Sequence, residues 1–220
     1  MTIAGISTTP VDDDGLTLDP ATVVTERIAE DADYEGVRAT FQGLPGNSRI
    51  AMQIDIGFSD VITPGPTRTR YPTLLDQPAA ELLAYNRETA IAEKFEAMVK
   101  LGELNSRMKD FFGAWLLSKS FSFDGPLLTA AVQATFSRRQ TLIEIESVCF
   151  AERFITDENK SVQWKAFVRR SLLTDAPAFT EIVAAVRGSL LPIAHAISEQ
   201  RTLTANWPLG GPWQEPRLNK

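Results

Sequence analysis

The 220 residues, 44% apolar and 23% charged, are enough for one compact domain or two small ones and exclude wholesale disorder. One cysteine, Cys149, excludes an internal disulfide and a cysteine-clustered metal site, and one histidine, His195, excludes chemistry that needs two. The net charge of −6 is uneven: residues 1–60 carry 11 acidic and 3 basic side chains, residues 61–220 carry 17 and 19, so any nucleic-acid surface is expected in the later part.

Residues 1–20 read as a polar lead-in holding an Asp12-Asp13-Asp14-Gly15 turn, without the basic and then apolar pattern of a secretory leader. No run approaches the roughly 18 consecutive apolar residues of a membrane helix, so no membrane partner and a cytoplasmic location are expected. A weak strand is predicted over 34–41, with 43–48 as the connecting turn. The clearest alternation follows: Ile50, Met52, Ile54, Ile56 and Phe58 fall on one face, and Asp55 stands mid-strand on the other. Pro64, Gly65 and Pro66 close this region, with one more short strand over 71–75.

From Asn86 onward the spacing is helical, with helices over 88–101, 107–119, 124–139, 162–172 and 178–195. The 207–213 tail, Trp-Pro-Leu-Gly-Gly-Pro-Trp, reads as a rigid aromatic turn. Strands first and helices after is an α+β order. We divide the chain into a β region at 1–80 and a helical region at 81–220 within one continuous globular unit.

Three charges fall in apolar surroundings. Lys94 lies in the arc of Ile91, Met98 and Leu101, while Glu93, Glu96 and Lys100 take the wet side. Asp110 lies between Ala114 and Leu117 on the next helix. Asp55 lies between two isoleucines. A buried charge needs a partner. Lys94 is therefore a snorkelling or paired lysine or a phosphate-binding one, and Asp110 is the partner of Lys94 or Arg107 or a working carboxylate. Asp55 is a hydrogen-bonded sheet residue or a catalytic acid. Carboxylate, lysine and carboxylate together suit metal and phosphate chemistry. The basic groups Arg68/Arg70, Lys100/Arg107/Lys109, Arg138/Arg139 and Lys165/Arg169/Arg170 are sparse enough to be solvated helix faces. Cys149 reads as a packed thiol, and the tryptophans as packing anchors.

Several segments together resemble the AbiEii/AbiGii-type nucleotidyltransferase toxins of abortive-infection, toxin–antitoxin phage defence. They are Gln53-Ile-Asp-Ile-Gly-Phe-Ser-Asp60, Thr63-Pro-Gly-Pro66, Tyr71-Pro-Thr-Leu-Leu-Asp76, Tyr85 to Val99, Asn105-Ser-Arg-Met-Lys-Asp-Phe-Phe112 and Asn206 to Trp213. The resemblance implies a polymerase-β-like nucleotidyltransferase fold, here a short antiparallel or mixed sheet followed by a helical bundle. It also implies two Mg²⁺ ions, a nucleoside triphosphate, an RNA acceptor such as the 3′ end of tRNA, and a cognate antitoxin. Residue by residue, Ile54-Asp55-Ile56 is similar to the family's hydrophobic-acid-hydrophobic triplet, which implies that Asp55 is a metal ligand and the catalytic carboxylate that helps deprotonate or orient the attacking 3′-hydroxyl. Lys94 matches the helix lysine that holds triphosphate oxygens. Arg107, Lys109 and Asp110 match the Arg-x-Lys-Asp segment, so the expected catalytic set is Asp55, Lys94 and Asp110, with Lys94, Arg107 and Lys109 on the phosphates.

The chain departs from the family pattern in two places. The Gly-Ser helix start and Asp-x-Asp strand, which supply the main metal ligands, have no counterpart; Asp12-x-Asp14 has the spacing without the flanking apolar residues. Gly113 stands where the family usually has an aspartate. The expectation is a truncated, inactive enzyme, with an antitoxin- or RNA-binding remnant as the alternative. A third reading is a structural protein with a buried ion network. A strand left without neighbours predicts self-association through an exposed sheet edge.

Overall fold

The structure, a computed structural model, describes residues 2–11, 13–29, 35–58, 60–74, 76 and 78–216. Asp12, Tyr34, Ser59 and Leu75, on which parts of the sequence reading rest, lie outside the described residues. Two compact units are present, Met1–Asp60 and Val61–Lys220, so residues 61–80 group with the helices.

The first unit holds a short helix, α1 (Ile3–Ile6), and an antiparallel meander of β1 (Leu16–Ala29), β2 (Glu35–Pro45) and β3 (Ile50–Gly57) in the order β1-β2-β3. Sequence alternation does not reveal β1 because a bulge shifts its register between Asp19 and Val24. Leu16 and Leu18 pair with Pro45 and Gly43, yet beyond the bulge it is the odd-numbered Thr25 and Arg27 that pair with Ala39 and Val37 on that same side. Period two fails across the strand for this reason. The bulge is stitched locally: Asp19 Oδ1 accepts from Ala21 N at 2.9 Å, and Thr22 Oγ1 accepts from Gln42 N at 3.0 Å.

The strand β2 runs through Gly43, which the sequence reading gave to a turn. The reversal is Gly46-Asn47, where Gly46 takes φ +57° and Ser48 N donates to Pro45 O at 3.1 Å. A Cβ on Gly43 would stand 2.9 Å from Met52 Sδ, so glycine lets the two strands' side chains close together there. Ile50, Met52, Ile54 and Ile56 do share a face, opposite Gly43, Phe41, Ala39 and Val37. That face is incompletely covered, with Ile50 at 50% and Ile54 at 46% exposure. Among the described residues no strand pairs the outer edge of β3.

The second unit opens with a hairpin of β4 (Thr67–Arg70) and β5 (Glu81–Ala84) rather than a strand at 71–75. Its helices are α2 (Arg87–Leu101), α3 (Met108–Ser120), α4 (Gly125–Arg138), α5 (Glu152–Ile155), α6 (Glu158–Arg170) and α7 (Phe179–Ser198). The two-residue strands β6 (Phe123–Asp124) and β7 (Asn206–Trp207) pair with each other. Starts are capped as the composition directs: Asn86, Asp124 and Asp157 each accept from the backbone N–H three residues on, at 2.7, 2.9 and 3.0 Å.

The core of this unit is aromatic. Phe95 meets Phe136 at a tilt of 55° with ring centres 5.2 Å apart, and Phe111 meets Phe179 edge-on at 5.3 Å. Each fully buried ring contributes about 1.5–3 kcal/mol. Helix α7 has the length and composition of a membrane span, but its apolar side is core: Ile182, Val183, Val186, Leu190 and Ile193 are fully buried. Cys149 is buried against Ser147 Oγ at 3.2 Å, and burial pushes its thiol up to about 11.

Candidate functional site

Lys94 leaves α2 on the side that also presents the fully buried Ile91 and Met98, so its ammonium must find an anion nearby. It finds Asp110 in the first turn of α3: Nζ lies 3.4 Å from Oδ1. Arg107, three residues before Asp110, places its Nε 2.9 Å from Oδ2, without the alignment of a hydrogen bond. Asp110 is buried at 3% exposure, while the side chains of Lys94 and Arg107 keep 29% and 39%. One sunken carboxylate thus holds two cations that remain open to water. Position in the first helical turn also favours the negative charge.

Gly113 belongs to this arrangement. The Lys94 stem crosses α3 at that residue, and a Cβ there would fall 2.7 Å from Cε. The glycine that departs from the family pattern is the space in which Lys94 lies. Lys109 is exposed and takes no part in the Asp110 ion pairs.

Asp55 belongs to the other unit and is held within its own sheet. It faces Arg38 in register across β2 and β3. Arg38 Nε donates to Oδ1 at 2.8 Å and Nη2 to Oδ2 at 3.0 Å, while Gln53 Nε2 lies 3.1 Å from both oxygens. The guanidinium hydrogen bond lowers the carboxyl pKa below its ordinary value. A lowered folded pKa means the pair acts above the unfolded value near 3.8 and is lost as pH falls through the folded one. In Arg38→Met the Asp55 titration, followed by carboxyl-carbon NMR, is expected to move up toward 3.8.

The carboxylates described do not fit a two-metal centre. Both Asp55 oxygens are engaged, and among the described residues no three His, Cys, Asp or Glu side chains come together to hold an ion. Asp13 and Asp14 spend their side chains locally, accepting from Gly15 N and Leu16 N at 2.9 Å each.

Three inward charges escaped the sequence reading: Glu88, at 5% exposure and met by Arg87 Nε at 3.0 Å, Glu96 and Lys160. Glu96, assigned to the wet side of α2, is buried at 1% exposure: Arg139 Nη1 lies 2.9 Å from its Oε2 and Thr141 Oγ1 donates to its Oε1. A helical wheel cannot show partners 43 and 45 residues away. Lys160 is likewise buried, on the α6 side that presents Trp164 four residues later, the same signal that exposed Lys94.

No curated protein and no solved structure matches the chain. A family model described as "Nucleotidyl transferase AbiEii toxin, Type IV TA system" matches residues 2–185, which include both units' charged clusters and leave the tryptophan tail outside. The chain therefore belongs to the AbiEii nucleotidyl transferase toxin family of type IV toxin–antitoxin systems.

Proposed function

We propose that this toxin takes part in transferring a nucleotide from a nucleoside triphosphate to an RNA acceptor, the 3′ end of tRNA, in the cytoplasm. In that reaction a ribose hydroxyl attacks the α-phosphorus, the α–β bond breaks, pyrophosphate leaves and the hydroxyl proton passes to a base. The observation that carries the reading is the pair of solvent-open cations, Lys94 and Arg107, seated on buried Asp110. Cations fixed in place but not desolvated can donate to phosphate oxygens without reorganising. Exposed Lys109, two residues after Arg107 in the first turn of α3, supplies a further cation to the phosphates. Asp55 is the carboxylate for the acceptor hydroxyl, and in that role it must exchange Arg38 for the substrate.

A non-catalytic reading, in which the chain binds RNA or its antitoxin, is favoured by one observation: Asp55 already holds a bidentate arginine. Labelled nucleotide transfer to total tRNA, with each triphosphate in turn and Mg²⁺ present, separates the two. Labelling that disappears in Asp55→Ala and Lys94→Ala supports catalysis. Lys94-dependent tRNA or triphosphate binding without labelling supports the binding module.

Gly113→Ala tests the same site differently. Alanine adds about 0.5–1 kcal/mol of helix preference, and the atom it strikes is the flexible end of a lysine. The thermal melt is expected to hold or rise, while triphosphate affinity falls severalfold because Lys94 is pushed off Asp110. We also propose that the outer β3 edge, which no strand pairs among the described residues, supports self-association, with Ile50 and Ile54 half exposed beside it. Sedimentation showing a monomer at high concentration overturns that proposal.

A further inference from the structure

We propose that Lys160 is a positioning residue for the phosphate site: its buried ammonium ties α6 to the turn between α2 and α3, and thereby sets Arg107 and Asp110 beneath Lys94. This rests on the nucleotide-binding reading above.

The ammonium is surrounded. Nζ donates to Glu103 O and Asn105 O, both at 2.8 Å, and lies 4.7 Å from the centre of the Phe154 ring. Two carbonyls and a ring face use all three of its N–H directions. Glu103 lies within the 3₁₀ segment Gly102–Leu104 that joins α2 to α3, and Asn105 is that segment's C-cap. Lys160 is itself anchored, since its backbone N–H bonds the N-cap carboxylate of Asp157 at 3.0 Å.

The turn's other holds are an exposed Arg153–Glu103 ion pair at 2.9 Å and the Asn105 N–H donating to Gly102 O at 3.2 Å. Asn105 is fully buried, and its Nδ2 finds no partner. Its Oδ1 accepts from Arg107 N at 2.8 Å, and Arg107 O accepts from Asp110 N at 2.9 Å. At the N-cap, Arg107 makes no side-chain capping bond to a backbone N–H of α3, and its guanidinium goes to the Asp110 carboxylate instead. A short sequence of hydrogen bonds therefore leads from Lys160 through Asn105 and Arg107 to Asp110. Burial lowers the Lys160 pKa while Asp157 and Glu103 oppose that shift, and the all-acceptor surroundings favour the charged form.

The test uses the full chain as wild type, Lys160→Met, Lys160→Arg and Phe154→Leu, which keeps the ammonium and its two carbonyls but removes the ring beneath it, together with that ring's contacts to Phe111 and Phe179. Two quantities are read: amide hydrogen exchange across 102–110, and calorimetric affinity for inorganic triphosphate, with Lys94→Ala as the reference for site binding. Expected in Lys160→Met are exchange faster by about tenfold in 102–110 but not in α7, and triphosphate affinity about tenfold weaker or more, because small misplacements of binding groups are costly. Lys160→Arg is expected to restore part of both. If Lys160→Met does not fold, Phe154→Leu is expected to show the same two changes in smaller measure. Unchanged exchange overturns the clamp whatever the ligand does. Faster exchange with undiminished triphosphate affinity overturns the positioning role and leaves a structural one. Wild-type protein that binds no triphosphate, or binds it independently of Lys94, overturns the nucleotide reading and the positioning role with it, while the exchange data still report on the clamp.

Discussion

Lys94→Ala is expected to lower nucleotide transfer, or triphosphate binding where no transfer is seen, by about 10²- to 10³-fold, the usual effect of removing one fixed charge donor from a reacting phosphate. The same substitution is expected to cost stability no more than about 1 kcal/mol. Lys94 keeps 29% side-chain exposure, and Asp110 retains Arg107 when the lysine is gone. A large functional loss with a small stability loss separates a working lysine from an inert ion pair. Lys119→Ala, on an exposed residue at the far end of α3, is the charge control and is expected to change neither quantity. Arg107→Ala is expected to be intermediate, and the double variant less than additive, because both cations sit on one carboxylate. Equal activity in Lys94→Ala and wild type would remove this cluster from the reaction.

What the sequence could reveal depended on how far away each residue's partner lies. Lys94 and Asp110 were legible because their intrusion into apolar arcs is visible within one turn of helix, and they do meet, at 3.4 Å. Glu96 was misread by the same wheel, because the groups that neutralise it come from beyond the end of α4. Strand β3 was legible through its four alternating apolar residues, with Phe58, the fifth of that pattern, falling just past its end, while β1, longer, was lost to its bulge at Asp19. Asp55 was correctly placed mid-strand, but nothing local announces that Arg38 faces it, since cross-strand register is set by the Gly46-Asn47 reversal. Gly113 was visible only as an anomaly; its meaning needed the neighbouring helix, where Lys94 crosses it. The family, in contrast, was legible from the order of weak motifs, and the α+β class from strands preceding helices.

Trp207→Ala is expected to destabilise the helical unit by about 3–5 kcal/mol, the range for deleting a buried tryptophan. For a unit of this size that lowers the melting temperature by about 10 °C. The tail is more than an aromatic turn. Trp207 is buried at 6% exposure, pairs with Phe123 across β6 and β7, and donates its indole N–H to Ser118 O at 2.8 Å near the end of α3. Trp213 meets it edge-on at 5.5 Å and donates to Ser189 O of α7 at 2.9 Å. The tail therefore braces α3 and α7, the two helices that carry Phe111 and Phe179. Glycine makes the brace possible twice over. Gly211 takes φ +74°, and a Cβ there would fall 2.3 Å from the Trp207 ring; a Cβ on Gly125 would fall 2.3 Å from the backbone oxygen of Ala205. Gly125→Ala meets backbone, which cannot swing aside, so it is expected to approach the Trp207→Ala loss, whereas Trp213→Ala, at a partly exposed ring, should cost less. A thermal melt of the three variants orders them. Because the brace lies outside the matched family residues yet grips α3 from the end opposite Asp110, Trp207→Ala measured below its melt should leave triphosphate affinity within about twofold of wild type, in contrast to Lys94→Ala.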